Sequence, residues 1–394
     1  MEGEIPVTDF SSFETPCFVV DRALLKKNLD ILNRVRHQTG ARILLALKGF
    51  AMFSAAAFVS EYLDGTCASS PHEARLGREE FGGEVHSFAA AYSDRDFAEC
   101  LEFSDHLILN SMSQYRHFLP VIEKHSFLKE FGLRINPEHR ETEVEIYDPC
   151  GQYSRLGITR SHFPEMLPEF ISGLHFHNLC QKNSDALKRT LEAVEKNFGE
   201  LLHQCKWVNF GGGHHITRPD YDIDLLCGLI IDFKNRYNLQ VYLEPGEAVA
   251  LNAGFLVSTV LDVVHNDRKI VILDTSAAAH MPDVIEMPYK PFIIGSGEPG
   301  VHPNTYRLGG LSCLAGDVVG DYSFPQPLKR GDKVVFTDMA IYTMVKTNTF
   351  NGIKLPDIIY CDSESGEVLH KKSFVTAIFG GGFREEKKNF FSGE

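Results

Sequence analysis

The sequence predicts an α/β fold, a (β/α)8 TIM-type barrel, joined to a second, mostly antiparallel β-barrel domain. Three observations lead there. Eight short apolar runs recur between residues 43 and 243, and most gaps between them hold an amphipathic stretch of 10 to 18 residues. Strands and helices alternating in that number suit a closed barrel; an open doubly wound sheet is the alternative, because periodicity does not show closure. From about Leu256 the strand-like runs become denser, Gly, Pro and Asn turns separate them, and helical signals fade. The length, 394 residues, also exceeds what one domain usually reaches.

Taken in order, Pro16 to Val20 reads as an opening strand that precedes the first barrel helix and pairs with the C-terminal β domain. The barrel strands read as Ile43–Leu47, Gly65–Ser69, Val85–Ala89, His106–Asn110, Gly132–Ile135, Gly173–Phe176, Trp207–Phe210 and Val241–Leu243. Between them, Ser111–Lys124 is a helix opened by a serine cap. Asp185–Leu202 is another, with Leu187, Leu191, Val194, Phe198 and Leu201 at helical spacing. Further strands read as Leu256–Val264, Lys269–Leu273, Asp317–Tyr322 and Lys333–Thr337. The domains are then 22–255 for the barrel and 1–21 plus 256–394 for the β domain.

Charge and cysteine usage narrow the function. The formal net charge is -14, from 53 acidic and 39 basic residues, which argues against nucleic acid or an anionic membrane as a partner and suits a cationic ligand. Nine scattered cysteines, odd in number and without a C-x-x-C pair, fit a reduced cytoplasmic setting. The opening MEGEIPVTDF is acidic and lacks a signal core, and no window approaches the roughly 18 apolar residues of a spanning helix.

In a barrel of this kind, functional residues follow the strands at the C-terminal face. Lys48 follows the run ILLAL; a lysine there is either a surface group or a desolvated amine suited to Schiff-base chemistry. Gly211, Gly212 and Gly213 follow the seventh strand, where a phosphate site often lies, and free the backbone to turn N–H groups toward an anion. Glu244 ends the eighth strand and, if buried, needs a cationic partner such as a protonated ring nitrogen. His175, His177, His214 and His215 form a cluster that could bind zinc, but no carboxylate or thiolate set stands at matching spacing. No metal is therefore expected, and an imidazole stacked on a flat cofactor is the competing use. One lysine, a glycine turn, a Glu and a His at strand ends are the parts pyridoxal phosphate needs.

At this point the chain resembles a known family, the fold-type III pyridoxal-phosphate decarboxylases, which include ornithine, arginine and diaminopimelate decarboxylases. The marks run in order: TPCFVVD at 15–21, ALKGF at 46–50, YSRLGI at 153–158, GLHFHNLC at 173–180, NFGGGHH at 209–215, LEPGEAV at 243–249, SCLAGD at 312–317 and YTMVKTNTFNG at 342–352. Their spellings are most similar to the carboxynorspermidine (carboxyspermidine) decarboxylase branch. The resemblance implies that Lys48 anchors pyridoxal 5'-phosphate covalently, that His177 stacks on its ring and that Glu244 pairs with the pyridine nitrogen. It implies that Gly211 to Gly213 and Tyr342 hold the phosphate, with Arg134 beside the cofactor. It further implies a homodimer with shared sites, in which Cys313 of one chain protonates the carbanion in the other. Asp317 would contact substrate, and Asp274 would bind its distal amine.

Three departures refine that picture. Relatives usually carry Arg after E-P-G, and this chain has Glu247. Diaminopimelate enzymes carry Glu after the cysteine, and this chain has Leu314. Cys180 stands where relatives commonly place Ser, which puts its phosphate contact in doubt. An added Glu suits a substrate with several amines, so the expected reaction is decarboxylation of carboxynorspermidine or carboxyspermidine, with Glu247 a substrate contact. A diaminopimelate, ornithine or arginine decarboxylase is the alternative, and a non-catalytic pyridoxal-phosphate protein a more distant one.

Overall fold

The computed structural model describes residues 9–142, 144–374, 376–379 and 382–385. The acidic opening at 1–8 and the last stretch of the expected β domain, 386–394, lie outside the described residues. The chain divides into two compact units, one of Lys26–Val249 and one formed by the described residues before and after it.

In Lys26–Val249 eight parallel strands close into a barrel. Counting the opening strand β1 (Cys17–Asp21) first, they are β2 (Arg42–Ala46), β3 (Gly65–Ala68), β4 (Glu84–Phe88), β5 (His106–Leu109), β6 (Glu130–Arg134), β7 (Ile171–His175), β8 (Trp207–Asn209) and β9 (Gln240–Leu243). Closure, which periodicity left open, comes from Arg42 and Ile43 of β2 pairing with Tyr242 and Leu243 of β9. Leu44, Ile108, Trp207 and Tyr242 fill the interior. The single tryptophan needs space that two glycines supply. A Cβ on Gly173 would stand 2.1 Å from the indole, and one on Gly132 2.4 Å from it.

The sequence places most strand ends one residue too late. Leu47, Phe176 and Phe210 follow β2, β7 and β8, yet all are at most 1% exposed. An apolar run therefore continues past the strand because the first turn residue is also buried at the barrel rim.

The helices of this unit include the two read from the sequence. After α1 (Arg22–Thr39) come α2 (Ala56–Ser60), α3 (Pro71–Leu76), α4 (Asp94–Phe103), α5 (Met112–His125), α6 (Ser184–Leu202), α7 (Ile223–Tyr237) and α8 (Glu247–Ala250). Ser111 caps α5 by accepting the Gln114 N–H. In α6 the five apolar positions read from the sequence are all buried.

The other unit holds a mixed eight-stranded sheet, running β13–β12–β11–β10–β1–β15–β16 with β14 also on β10, and a separate antiparallel pair, β17 (Thr376–Phe379) with β18 (Gly382–Glu385). Its strands are β10 (Gly254–Asn266), β11 (Arg268–Leu273), β12 (Asn304–Gly309), β13 (Val318–Phe324), β14 (Lys333–Thr337), β15 (Asp357–Asp362) and β16 (Glu367–Lys372). β1 pairs antiparallel with β10 and parallel with β15, so the opening strand does join the C-terminal sheet. Most pairings are antiparallel, as expected; β11 with β12 is the second parallel one. The expected second domain is present as this mixed sheet, whose strand order among the described residues branches at β10. Phe18, Leu256, Tyr306 and Phe336 anchor its core. Among the described residues no helix is long and apolar enough to cross a membrane.

Candidate active site

The C-terminal ends of the barrel strands bring together most of the residues read from the sequence. Lys48 lies two residues beyond β2 and Arg134 ends β6; His175 ends β7 with His177 two residues on. Asn209 ends β8 and leads into Gly211–Gly213, and Glu244 follows β9.

Glu244 is buried and doubly held. Its Oε1 accepts the Asn209 amide at 2.7 Å, and its Oε2 lies 3.3 Å from His175 Nε2. Burial pushes its pKa up, but His175, His86 and Lys48 outweigh that and hold the carboxyl below its usual range, so it is a carboxylate. Burial pushes the His175 imidazole down and the Cys67 thiol beside Glu244 up. Arg134 is 5% exposed, donates to the His177 carbonyl at 2.9 Å and stacks 4.6 Å from the Phe88 ring centre. Burial lowers it to about 10.

His177 Nδ1 accepts the Gly212 N–H at 2.7 Å, which fixes the unprotonated nitrogen. Burial, then the cations Lys48 and Arg134, push this imidazole well below its ordinary pKa, so it stays neutral. His175 and His177 thus serve different partners. Among the described residues they join no group of three or more metal-ligating side chains with His214 and His215.

The glycine turn is required sterically. A Cβ at Gly211, Gly212 or Gly213 would stand 2.4, 2.3 or 1.9 Å from the carbonyls of Phe176, Glu244 and Leu179. Gly211 and Gly213 also have positive φ, 69° and 81°. Their N–H groups are not equivalent, contrary to a nest of three. Gly211 donates to Asn209 Oδ1 at 2.8 Å and Gly212 to His177, while Gly213 N–H has no acceptor among the described residues. The Lys48 amine is exposed and makes no hydrogen bond or ion pair with a described residue. A free amine, a side-chain-free cradle with one open donor and a buried carboxylate fit pyridoxal phosphate.

Glu247 opens α8 with its carboxylate accepting from Gln181 at 2.6 Å and lying 3.4 Å from His215 Nε2. Cys180 is part-buried, and burial raises its thiol pKa.

Four expected residues lie in the sheet unit. Cys313 is the exposed one of nine free cysteines, and its N–H donates to Asn351 Oδ1 at 2.9 Å. With Asp274, Leu311, Asn351 and Lys354 it lines a pocket of about 480 Å³. Two of the expected substrate carboxylates are hydrogen-bonded within the unit. Asp274 accepts from Thr15 at 2.5 Å, Ser258 at 2.7 Å and the Thr259 N–H at 2.8 Å, so both oxygens are already used. Asp317 is 4% exposed and takes the N–H groups of Ala277 at 2.6 Å and Ser312 at 3.0 Å. It ties the Cys313 turn to a short helix. Tyr342 sits at φ 38°, a strained conformation for a tyrosine and a common mark of functional backbone.

Sequence reasoning missed Asn209. It stands in the quoted NFGGGHH run, and its signal was an amide directly before a glycine turn.

These features define a (β/α)8 enzyme built around a phosphate-bearing cofactor with an aldehyde. The chain belongs to the pyridoxal-dependent decarboxylase family. Residues 17–340 match the model described as pyridoxal-dependent decarboxylase, C-terminal sheet domain. The chain is similar to a carboxynorspermidine/carboxyspermidine decarboxylase of Campylobacter jejuni, 42% identical over 90% of this chain and 95% of that protein. It is also similar to a carboxyaminopropylagmatine decarboxylase of Synechocystis, 44% identical over 91% of this chain and 92% of that protein. Among solved structures it resembles the Campylobacter jejuni carboxynorspermidine decarboxylase in complex with norspermidine, at TM-score 0.84 and 40% identity, covering 92% of this chain and 98% of that one.

Proposed function

We propose that the protein decarboxylates a carboxylated polyamine, carboxynorspermidine or carboxyspermidine, to norspermidine or spermidine. The observation that carries this reading is the 42% identity, nearly end to end, with the Campylobacter enzyme of that name. The Glu247 carboxylate supports it, because a polyamine brings a distal cation and this chain supplies an anion at that position. The Synechocystis relative favours a second reading, in which the distal group is the guanidinium of carboxyaminopropylagmatine.

Bound pyridoxal phosphate supplies the electron sink that takes up the pair released as the carboxylate leaves. Lys48 would hold the cofactor covalently through its side-chain amine. Gly213 N–H binds the phosphate, with Gly211 and Gly212 keeping the cradle open and Tyr342 adding a contact. The Glu244 carboxylate would keep a proton on the pyridine nitrogen, and the neutral His177 ring would stack on the pyridine. Arg134 orients the His177 carbonyl beside the cofactor. Cys313 Sγ delivers the proton that replaces carbon dioxide on the α-carbon. Asp274 and Asp317 contact the substrate, Asp274 at its distal amine, and through their hydrogen bonds also hold the pocket around Cys313 in shape.

This reading includes a homodimer with shared sites, each completed by Cys313 of the other chain, and a cytoplasmic setting in keeping with nine free cysteines. It takes 22–255 as the cofactor-binding domain and 1–21 plus 256–394 as the β domain. Purified protein with pyridoxal phosphate is assayed for carbon dioxide release on six separate substrates: carboxynorspermidine, carboxyspermidine, carboxyaminopropylagmatine, diaminopimelate, ornithine and arginine. The first two are expected to turn over best. Faster turnover of any other would move the assignment to it. Mixed dimers of Lys48→Ala and Cys313→Ala chains should regain activity, and no recovery would refute shared sites.

A further inference from the structure

At the opposite end of the barrel from Lys48 and Glu244, Glu84 opens β4 and His86 lies two residues along it, on the same face of the strand. His106 opens β5 and stands directly opposite His86 in the parallel register. The two rings stack at 3.9 Å, walled by Trp207 at 4.9 Å from His106 and Tyr242 at 4.6 Å from His86. His86 is fully buried and His106 is 6% exposed. Four polar atoms here make no hydrogen bond: both nitrogens of His86, Nδ1 of His106 and Oε2 of Glu84, the last standing 3.5 Å from His86 Nε2 in a loose ion-pair contact. Buried polar groups are nearly always satisfied, so four orphans in one place need a partner. One ligand atom from each of the three side chains lies within 4.8 Å of the other two, the one such grouping among the described residues.

We propose that Glu84, His86 and His106 bind one divalent transition-metal ion, with zinc the best-suited case, at the N-terminal end of the barrel. Two imidazole nitrogens and one carboxylate oxygen, with a position left for water, form a recognised zinc set, whereas calcium and magnesium take oxygen ligands. Ligand atoms around tetrahedral zinc stand roughly 3.4 Å apart, so the three side chains close by about an ångström and the rings turn out of parallel. Arg42 pairs with the Oε1 of Glu84 while Oε2 stands 3.5 Å from His86 Nε2, so the carboxylate is oriented toward the histidines. The N-terminal face of such a barrel serves stability and not the reaction, so the ion pins β4 to β5.

The test uses the full-length holoenzyme, dialysed against a chelator and then given zinc alone. Wild type should take up one zinc per chain and melt several degrees higher. Glu84→Gln and His106→Gln, both close in shape to the native side chains, should lose uptake and shift while keeping decarboxylase activity. Cobalt in wild type should give visible ligand-field bands without thiolate charge transfer. No zinc uptake by wild type, undiminished uptake in both variants, or a thiolate band for cobalt would each overturn the proposal.

Discussion

Asn209 links the cofactor cradle to its buried carboxylate. Its Nδ2 donates to Glu244 Oε1 at 2.7 Å, and its Oδ1 accepts the Gly211 N–H at 2.8 Å. Both ends of the amide are used, and the residue is fully buried. Asn209→Ala leaves a charged oxygen and a backbone donor without partners. A hydrogen bond to a charged group is worth about 1.5–3 kcal/mol, so cofactor affinity should fall about 10- to 100-fold. Fluorescence titration of the apo protein with pyridoxal phosphate measures it, and unchanged affinity would remove the linking role.

Lys48 is exposed and unpaired two residues beyond β2, which leaves its amine available. Lys48→Ala should bring decarboxylation to background and abolish the pyridoxyl adduct that borohydride traps on wild type. Peptide mapping after reduction reads the adduct. Full activity in the variant would rule out the assigned anchor.

Most of the barrel was legible because parallel strands are buried on both faces and read as continuous apolar runs. The glycine turn was legible because three carbonyls leave no room for a Cβ. β16 was not, since five of its six residues are exposed and no apolar pattern marks it. The partners of Asp317 were also hidden, because Ala277 lies 40 residues away. Charge and spacing identify a carboxylate, but they do not reveal which backbone N–H groups will occupy it.

For Asp317, those N–H groups make a stability prediction. Asp317→Asn turns one acceptor oxygen into a donor that faces N–H groups of Ala277 or Ser312. The cost should be about 1–3 kcal/mol, the usual penalty for an unsatisfied buried group. Denaturant unfolding of both proteins measures the difference. A variant with unchanged stability and lost turnover would leave Asp317 with substrate contact alone.

Glu247 carries the proposed preference for a polyamine. Glu247→Gln keeps a partner for Gln181 but removes the charge. The KM for carboxynorspermidine should rise about 10-fold, the effect of losing one charge-assisted contact of roughly 1.4 kcal/mol, with kcat little changed. Glu247→Arg should weaken polyamine use further through repulsion. Equal KM values in all three proteins would take Glu247 out of recognition.

His280 gives the fold a defined acid sensitivity. Its Nδ1 accepts the Ser276 N–H at 3.3 Å and its Nε2 donates to the Lys354 carbonyl at 3.0 Å, so the buried ring is satisfied only when neutral. Burial pushes its pKa from 6.5 down to about 4, although Lys354, Asp274 and Asp317 oppose the shift. The unfolded chain therefore binds a proton here that the folded chain refuses between those values. The stability this histidine contributes is full above pH 6.5 and is lost as pH falls toward 4. Denaturant unfolding at pH 7 and pH 5 should show wild type losing more stability than His280→Gln, which has no proton to take up. A wild-type advantage that stays constant between the two pH values would mean that His280 does not titrate in this window.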